Sequence, residues 1–192
     1  MEEEIDPRHL LKKIAEILEI LKIPYAITGG MAIYIWGRPR FTADIDIILE
    51  LREKDVALFM KALKQIDKAG YVDANAMRRA IERRGEFNFI DNVSGVKVDF
   101  WVIGEDEFSR LKLKRRIPKM ILGEKAYFLS PEDLILSKLL WSKESESELQ
   151  LKDVESILKF QKKLDLDYLR KWAKSHGTIS NLEELLKKRL RS

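Results

Sequence analysis

The chain contains no cysteine and only two histidines, His9 and His176, among its 192 residues. This excludes disulfides, thiol nucleophiles, cysteine-based zinc sites and iron–sulfur clusters, and it leaves almost no basis for a Cys–His or Ser–His–Asp mechanism. No apolar run approaches the roughly eighteen residues that a membrane span needs. The chain opens on Glu2-Glu3-Glu4, the reverse of the basic start of a signal peptide. A cytoplasmic protein without membrane contact is expected. A large excess of either charge is also missing: 36 basic residues face 32 acidic ones, for a net charge of +4.

What is present describes a folded body. Hydrophobic residues make up 45% and charged residues 35% of the chain, which excludes general disorder, and the length suffices for a buried core. The charge is uneven. Residues 1–103 hold 16 basic and 17 acidic side chains, whereas residues 104–192 hold 20 and 15. Such a surplus favours phosphate-bearing partners, although it equally suits an ordinary solvated surface.

Periodicity predicts an α/β order with a helical tail. Asp6-Pro7 starts a helix that Pro24 ends, Tyr25 to Thr28 reads as a strand, and Gly29-Gly30 breaks it before a helix from Met31 to Trp36. Ala43 to Leu49 reads as a strand, residues 53–68 and 73–84 as helices, and Glu86–Asp91 with Val96–Ile103 as a hairpin about Asn92-Val93-Ser94-Gly95. A charged helix follows from about Glu105. Two short strands then flank Gly123, and helices are expected near 131–144, 149–162, 166–175 and 180–190. The division expected is a core over 1–129 and a helical region over 130–192 packed on it.

The residues that suggest chemistry are Asp44-Ile45-Asp46. On a strand, side chains two apart share a face, so two carboxylates project together and call for a cation. Oxygen donors without histidine or cysteine select a hard ion, Mg²⁺ or Mn²⁺. In Val96-Lys97-Val98-Asp99-Phe100-Trp101-Val102, Asp99 lies opposite the apolar face. If the two strands are neighbours, Asp99 can join the pair around two ions about 4 Å apart, the arrangement used for in-line phosphoryl displacement. Gly29-Gly30 adds backbone able to approach phosphate at a helix N-terminus, although it forms neither a Walker loop nor a GxGxxG fingerprint.

Gly29-Gly30, thirteen intervening residues, Asp44-Ile45-Asp46 and a later strand-borne Asp99 together resemble the motif of the DNA polymerase β-type nucleotidyltransferase superfamily. The run through Arg38, Arg40, Phe41 and Thr42, with Leu129-Ser130-Pro131-Glu132-Asp133, Lys138 and Lys152-Asp153, is similar to the AbiEii-type nucleotidyltransferases, which include toxins of toxin–antitoxin pairs. The resemblance covers most of residues 24–175. It implies a nucleotidyltransferase-fold mixed sheet flanked by helices, an NTP substrate with Mg²⁺ or Mn²⁺, and a tRNA or other RNA, or a cognate antitoxin protein, as partner. By the same resemblance Asp44, Asp46 and Asp99 are metal ligands and catalytic residues, and Lys138 reaches the phosphates. Asp153 matches the Lys-Asp motif, and Gly29, Gly30, Arg38, Arg40 and Thr42 bind the nucleotide. Two positions depart from the pattern. Gly30 stands where many relatives have serine, and Ser156 stands where the longer Lys-Asp motif has a second aspartate.

Each feature also has a plainer reading. Asp-x-Asp occurs on many solvent-facing strands, and the glycine pair with Asp99 is what separates this one from them. Lys138 would suit any amphipathic helix, and Asp153 any first turn. The cations Arg110 to Lys119, and Arg78, Arg79, Arg83 and Arg84, fit solvated faces, while Trp36, Trp101, Trp141 and Trp172 lie among apolar neighbours as core or pocket wall. An inactive nucleotide- or RNA-binding module and an antibiotic-modifying nucleotidyltransferase are the alternatives. The basic C-terminal surplus weighs against a polycationic acceptor.

Overall fold

The computed structural model describes residues 6–40 and 42–189. Glu2, Glu3, Glu4 and Phe41, which entered the sequence argument, and residue 190 of the expected last helix lie outside them. The chain forms two compact units, residues 1–31 with 41–128 and residues 32–40 with 129–192. Residues 32–40 thus count with the C-terminal unit, a membership that a linear division cannot express.

The first unit is built on a six-stranded mixed sheet. Its strands are β1 (Tyr25–Ile27), β2 (Ile45–Leu49), β3 (Glu86–Ile90), β4 (Lys97–Val102), β5 (Ile117–Ile121) and β6 (Glu124–Phe128), in the order β3-β4-β2-β1-β6-β5. β2 runs parallel to β4 and β1 parallel to β6, and the other pairs are antiparallel. The helices of this unit are α1 (Pro7–Ile20), α3 (Glu53–Ile66), α4 (Ala74–Arg83) and α5 (Glu107–Lys114), and α2 (Gly29–Trp36) begins in it. Asp6, Asp73 and Asp106 start α1, α4 and α5 by accepting backbone N–H bonds, which explains why those acids mark the boundaries.

Alternation sorts the sheet. Phe87, Phe89, Val98, Phe100 and Val102 are buried on one face, where Phe87 stacks on its cross-strand partner Phe100 at 5.0 Å and Phe59 of α3 meets Phe100 edge-on at 5.3 Å. Glu86, Asn88, Lys97, Asp99 and Trp101 lie on the opposite face. The burial of one set fixes the register and thereby the position of Asp99.

The second unit is helical: α6 (Pro131–Ser145), α7 (Glu148–Phe160), α8 (Leu166–Ser175) and α9 (Ile179–Arg189). Ser130 caps α6, its hydroxyl accepting from the Asp133 N–H at 3.1 Å and donating to Asp133 Oδ2 at 2.7 Å. Tyr168 of α8 donates to Asp133 Oδ1 at 2.7 Å, and Glu132 accepts from the Asp165 N–H. The Ser-Pro-Glu-Asp stretch is therefore a helix start tied to α8. Among the described residues no helix is long and apolar enough to cross a membrane.

Candidate active site

The strands expected to carry acids are neighbours, and Asp46 of β2 stands directly opposite Asp99 of β4. Asp44 lies one residue before β2 rather than within it, and its carbonyl accepts from the Thr42 hydroxyl at 3.2 Å. Asp44 is exposed, whereas Asp46 and Asp99 are half-buried. Asn88 of β3 is the other cross-strand neighbour of Asp99.

The glycine pair explains itself by contact. Gly29 opens α2 with φ +58°, and a Cβ there would lie 1.8 Å from Asp46 Oδ2. Only glycine lets the helix start this close to the carboxylate. A Cβ on Gly30 would lie 2.6 Å from both Cβ and Oγ1 of Thr42. Thr42 therefore fills the space that a serine at position 30 would need, which gives a physical reason for this departure from the resembled pattern.

Sequence reasoning passed over Lys97. Its ammonium meets Asp99 Oδ2 at 2.7 Å. That hydrogen bond raises its pKa above the ordinary lysine value, and the charges of Asp99, Asp44 and Glu86 act in the same direction. The signal was the period of two that had already placed Asp99 on this face. Among the described residues no three His, Cys, Asp or Glu side chains close around a point that would hold a metal ion.

The remaining expected residues gather in the second unit. Asp153 of α7 accepts from Arg40 through both oxygens, each at 3.0 Å, and its Oδ2 meets Lys138 Nζ of α6 at 2.7 Å. Lys138 also donates to Gln150 at 2.9 Å. Its side chain is 1% exposed and that of Asp153 5%. Burial alone would push the Asp153 carboxyl up, but the hydrogen bonds and charges of Arg40 and Lys138 outweigh it and hold the group below the usual aspartate range. Arg38 is exposed, and its backbone N–H donates to Ser156 Oγ at 2.6 Å. The expected residues thus fall into two groups. Gly29, Gly30, Thr42, Asp44, Asp46 and Asp99 belong to the first unit, and Arg38, Arg40, Lys138 and Asp153 to the second.

Several cations of the two arginine- and lysine-rich runs have local partners. Arg78, Arg79 and Arg84 pair with Glu53, Asp73 and Glu105, while Lys112 and Arg116 lie over the rings of Phe108 and Tyr127. Trp36 is core, its indole N–H donating to the Leu129 carbonyl at 2.8 Å.

No curated protein sequence matches the chain. Its fold is shared with an antigenic nucleotidyltransferase-like protein from Paracoccidioides brasiliensis, at 20% identity and a TM-score of 0.55 over 94% of this chain and 91% of that one. ANT(2″)-Ia, solved with adenylyl-2″-tobramycin, aligns at 15% identity and a TM-score of 0.60, over 89% of this chain and 97% of its own. The lincosamide antibiotic adenylyltransferase LnuA, solved with lincomycin bound, aligns at 14% identity and a TM-score of 0.53, over 82% and 99%. At these identities the likeness establishes the fold alone. Residues 8–190 match the family described as a nucleotidyltransferase of unknown function (DUF6036), and the chain therefore belongs to that family of nucleotidyltransferase enzymes.

Proposed function

We propose that the chain transfers a nucleoside monophosphate from an NTP to a hydroxyl at the 3′ end of an RNA, with Mg²⁺ or Mn²⁺ held by Asp44, Asp46 and Asp99. The observation that carries the reading is the pairing of Asp46 with Asp99 next to a helix start that only glycine permits. The donor set fits a hard divalent cation, being all carboxylate oxygen. When bound, the cation offsets charge on the triphosphate and polarises the reacting phosphoryl group.

The chain's own residues supply the rest. Backbone N–H groups at the start of α2 bind phosphate oxygens, and Thr42 keeps that turn closed against Gly30. The acceptor oxygen attacks the α-phosphorus, and its proton passes to the carboxylate of Asp99. The bond from the α-phosphorus to the bridging oxygen breaks, and pyrophosphate leaves with that electron pair. Arg38 and Arg40 carry cationic charge within the second unit. Lys138 acts as a positioning residue, fixing Asp153 and through it the Arg40 guanidinium.

The test is incubation with each α-labelled NTP, Mg²⁺ or Mn²⁺, and total RNA, beside an Asp44→Asn/Asp46→Asn variant. Label in RNA that vanishes in the variant is expected. Label of equal strength in both would overturn the assignment, and label in protein or in a small hydroxyl compound would redirect the acceptor. The basic surplus of residues 104–192 weighs against a polycationic antibiotic.

The finer reading, a toxin of the AbiEii type with a cognate antitoxin, rests on the resemblance of Leu129–Asp133, Lys138 and Lys152-Asp153. Those residues mostly cap α6 and pair with one another, so their geometry does not bear on the acceptor. Growth arrest on expression of the wild type but not of the double aspartate variant is the outcome that supports it.

A further inference from the structure

The helical unit contains a cleft of about 1030 Å³ between the 38–40 segment, one face of α7 and the end of α9. Five cations line it, Arg38, Arg40, Lys152, Lys159 and Arg189, against two acids, Asp153 and Glu155. Asp153 is already neutralised by Arg40 and Lys138. Arg38, Lys152 and Lys159 are exposed and have no carboxylate partner among the described residues. The cleft therefore presents uncompensated positive charge.

Two further features narrow the ligand. Leu149 and Phe160, 47% and 55% exposed, lie in the same cleft as the cations, so an apolar and aromatic surface is offered beside the charge. Lys152 and Lys159 are two helical turns apart on one face of α7, about 10 Å along the axis. That spread suits a chain of phosphates rather than a single one, and an aromatic face among cations suits unstacked bases.

The wall is also held in place. A Cβ on Gly37 would lie 2.8 Å from Ser156 Oγ, the Trp36 carbonyl accepts from Gln161 at 2.7 Å, and Arg189 donates to the Gln161 carbonyl at 2.9 Å.

We propose that this cleft binds single-stranded nucleic acid, with Arg38, Lys152 and Lys159 on phosphates and Phe160 stacking on a base. The inference rests on the RNA-acceptor reading for its biological sense, yet it is tested by binding alone. Failure of transfer and failure of binding are therefore separate results.

The experiment titrates a fluorescent twelve-nucleotide single-stranded RNA into the full chain over a range of salt, following anisotropy. Lys152→Gln/Lys159→Gln is expected to weaken binding at least about tenfold and to reduce the salt slope by about 1.4, from roughly 0.7 per phosphate contact on a single strand. Phe160→Ala should weaken binding severalfold without changing the slope. Lys61→Gln/Lys68→Gln, which lies in the first unit, should bind as wild type does. Absence of binding by the wild type, or equal binding by the cleft variants, would overturn the proposal. Displacement of the RNA by polyglutamate at equal charge, with Phe160→Ala indistinguishable from wild type, would also overturn it and point to an acidic protein partner.

Discussion

Asp46 and Asp99 are paired across two strands of a sheet, half-buried, with their like charges side by side and the Lys97 ammonium on Asp99. Asp133 and Asp153 in the helical unit are treated the opposite way. Both oxygens of Asp133 accept from hydroxyls, and both oxygens of Asp153 accept from Arg40, with Lys138 added on one of them. A fully partnered buried acid fixes neighbouring elements and has little capacity left for a ligand. Adjacent acids that face solvent repel each other, a cost that a bound cation removes. The acids of the helical unit tie elements together, whereas those of the sheet are the ones on which the proposed chemistry rests.

The most severe way to break the contrast is Asp44→Asn/Asp46→Asn. On the proposed function, loss of both carboxylates removes several kcal/mol of transition-state stabilisation, so turnover should fall at least about a thousandfold while the denaturation midpoint stays at or above that of the wild type. Radiolabel transfer and urea denaturation read the two effects separately. Unfolding of this variant would show that the sheet acids are structural after all.

The converse belongs to the helical unit. Asp153→Asn leaves Lys138 buried without its carboxylate and should destabilise the protein by about 3–5 kcal/mol. The apolar pair Lys138→Met/Asp153→Leu should recover much of that loss, because it removes both charges from the interior. If the double variant is as unstable as the single one, the network contributes more than charge compensation.

Much of this architecture was legible in the chain. α8 covers the 166–175 stretch where a helix was expected, and the hairpin about residues 92–95 follows from its turn composition. α2 starts at Gly29 rather than Met31, at a glycine with left-handed φ that the sequence marked as a break only. Whether β2 and β4 are neighbours was not legible, since parallel pairing across some fifty residues is decided by the whole sheet. The contact of Lys138 with Asp153 was hidden for the same reason: its partner lies on another helix, and a lysine among leucines reads as amphipathic surface. Lys97, by contrast, was legible from the alternation that exposed Asp99.

A smaller perturbation tests the glycine cradle. Gly30→Ser should cost about 1–3 kcal/mol through overpacking against Thr42 and should weaken nucleotide affinity. Adding Thr42→Gly should restore stability to within about 1 kcal/mol, since both nearby Thr42 carbon atoms are then gone. Equal effects in the single and double variants would mean that Thr42 is not what excludes the serine.

Acid titration separates the units more gently. The folded Asp153 carboxyl lies below its unfolded value of about 3.9, so its contribution to stability is present above that pH and is lost as pH falls through the lower folded value. Wild-type stability should therefore drop more steeply below about pH 4 than that of Lys138→Met/Asp153→Leu. Parallel curves would assign the acid sensitivity to other carboxylates.

The smallest expected effect falls on the sheet. Lys97 is 40% exposed and its removal takes one ion pair from a partly hydrated face, so Lys97→Met should change stability by no more than about 0.5 kcal/mol. Its effect on metal binding has a definite direction. The ammonium occupies Asp99 Oδ2 and would compete with a cation held there as proposed, so the Mg²⁺ or Mn²⁺ concentration that gives half-maximal activity should fall in the variant, even if turnover at saturating metal also falls. A rise in that concentration would mean that Lys97 orients Asp99 for the metal rather than competing with it, and the sheet acids would then be preorganised by a partner, as those of the helical unit are.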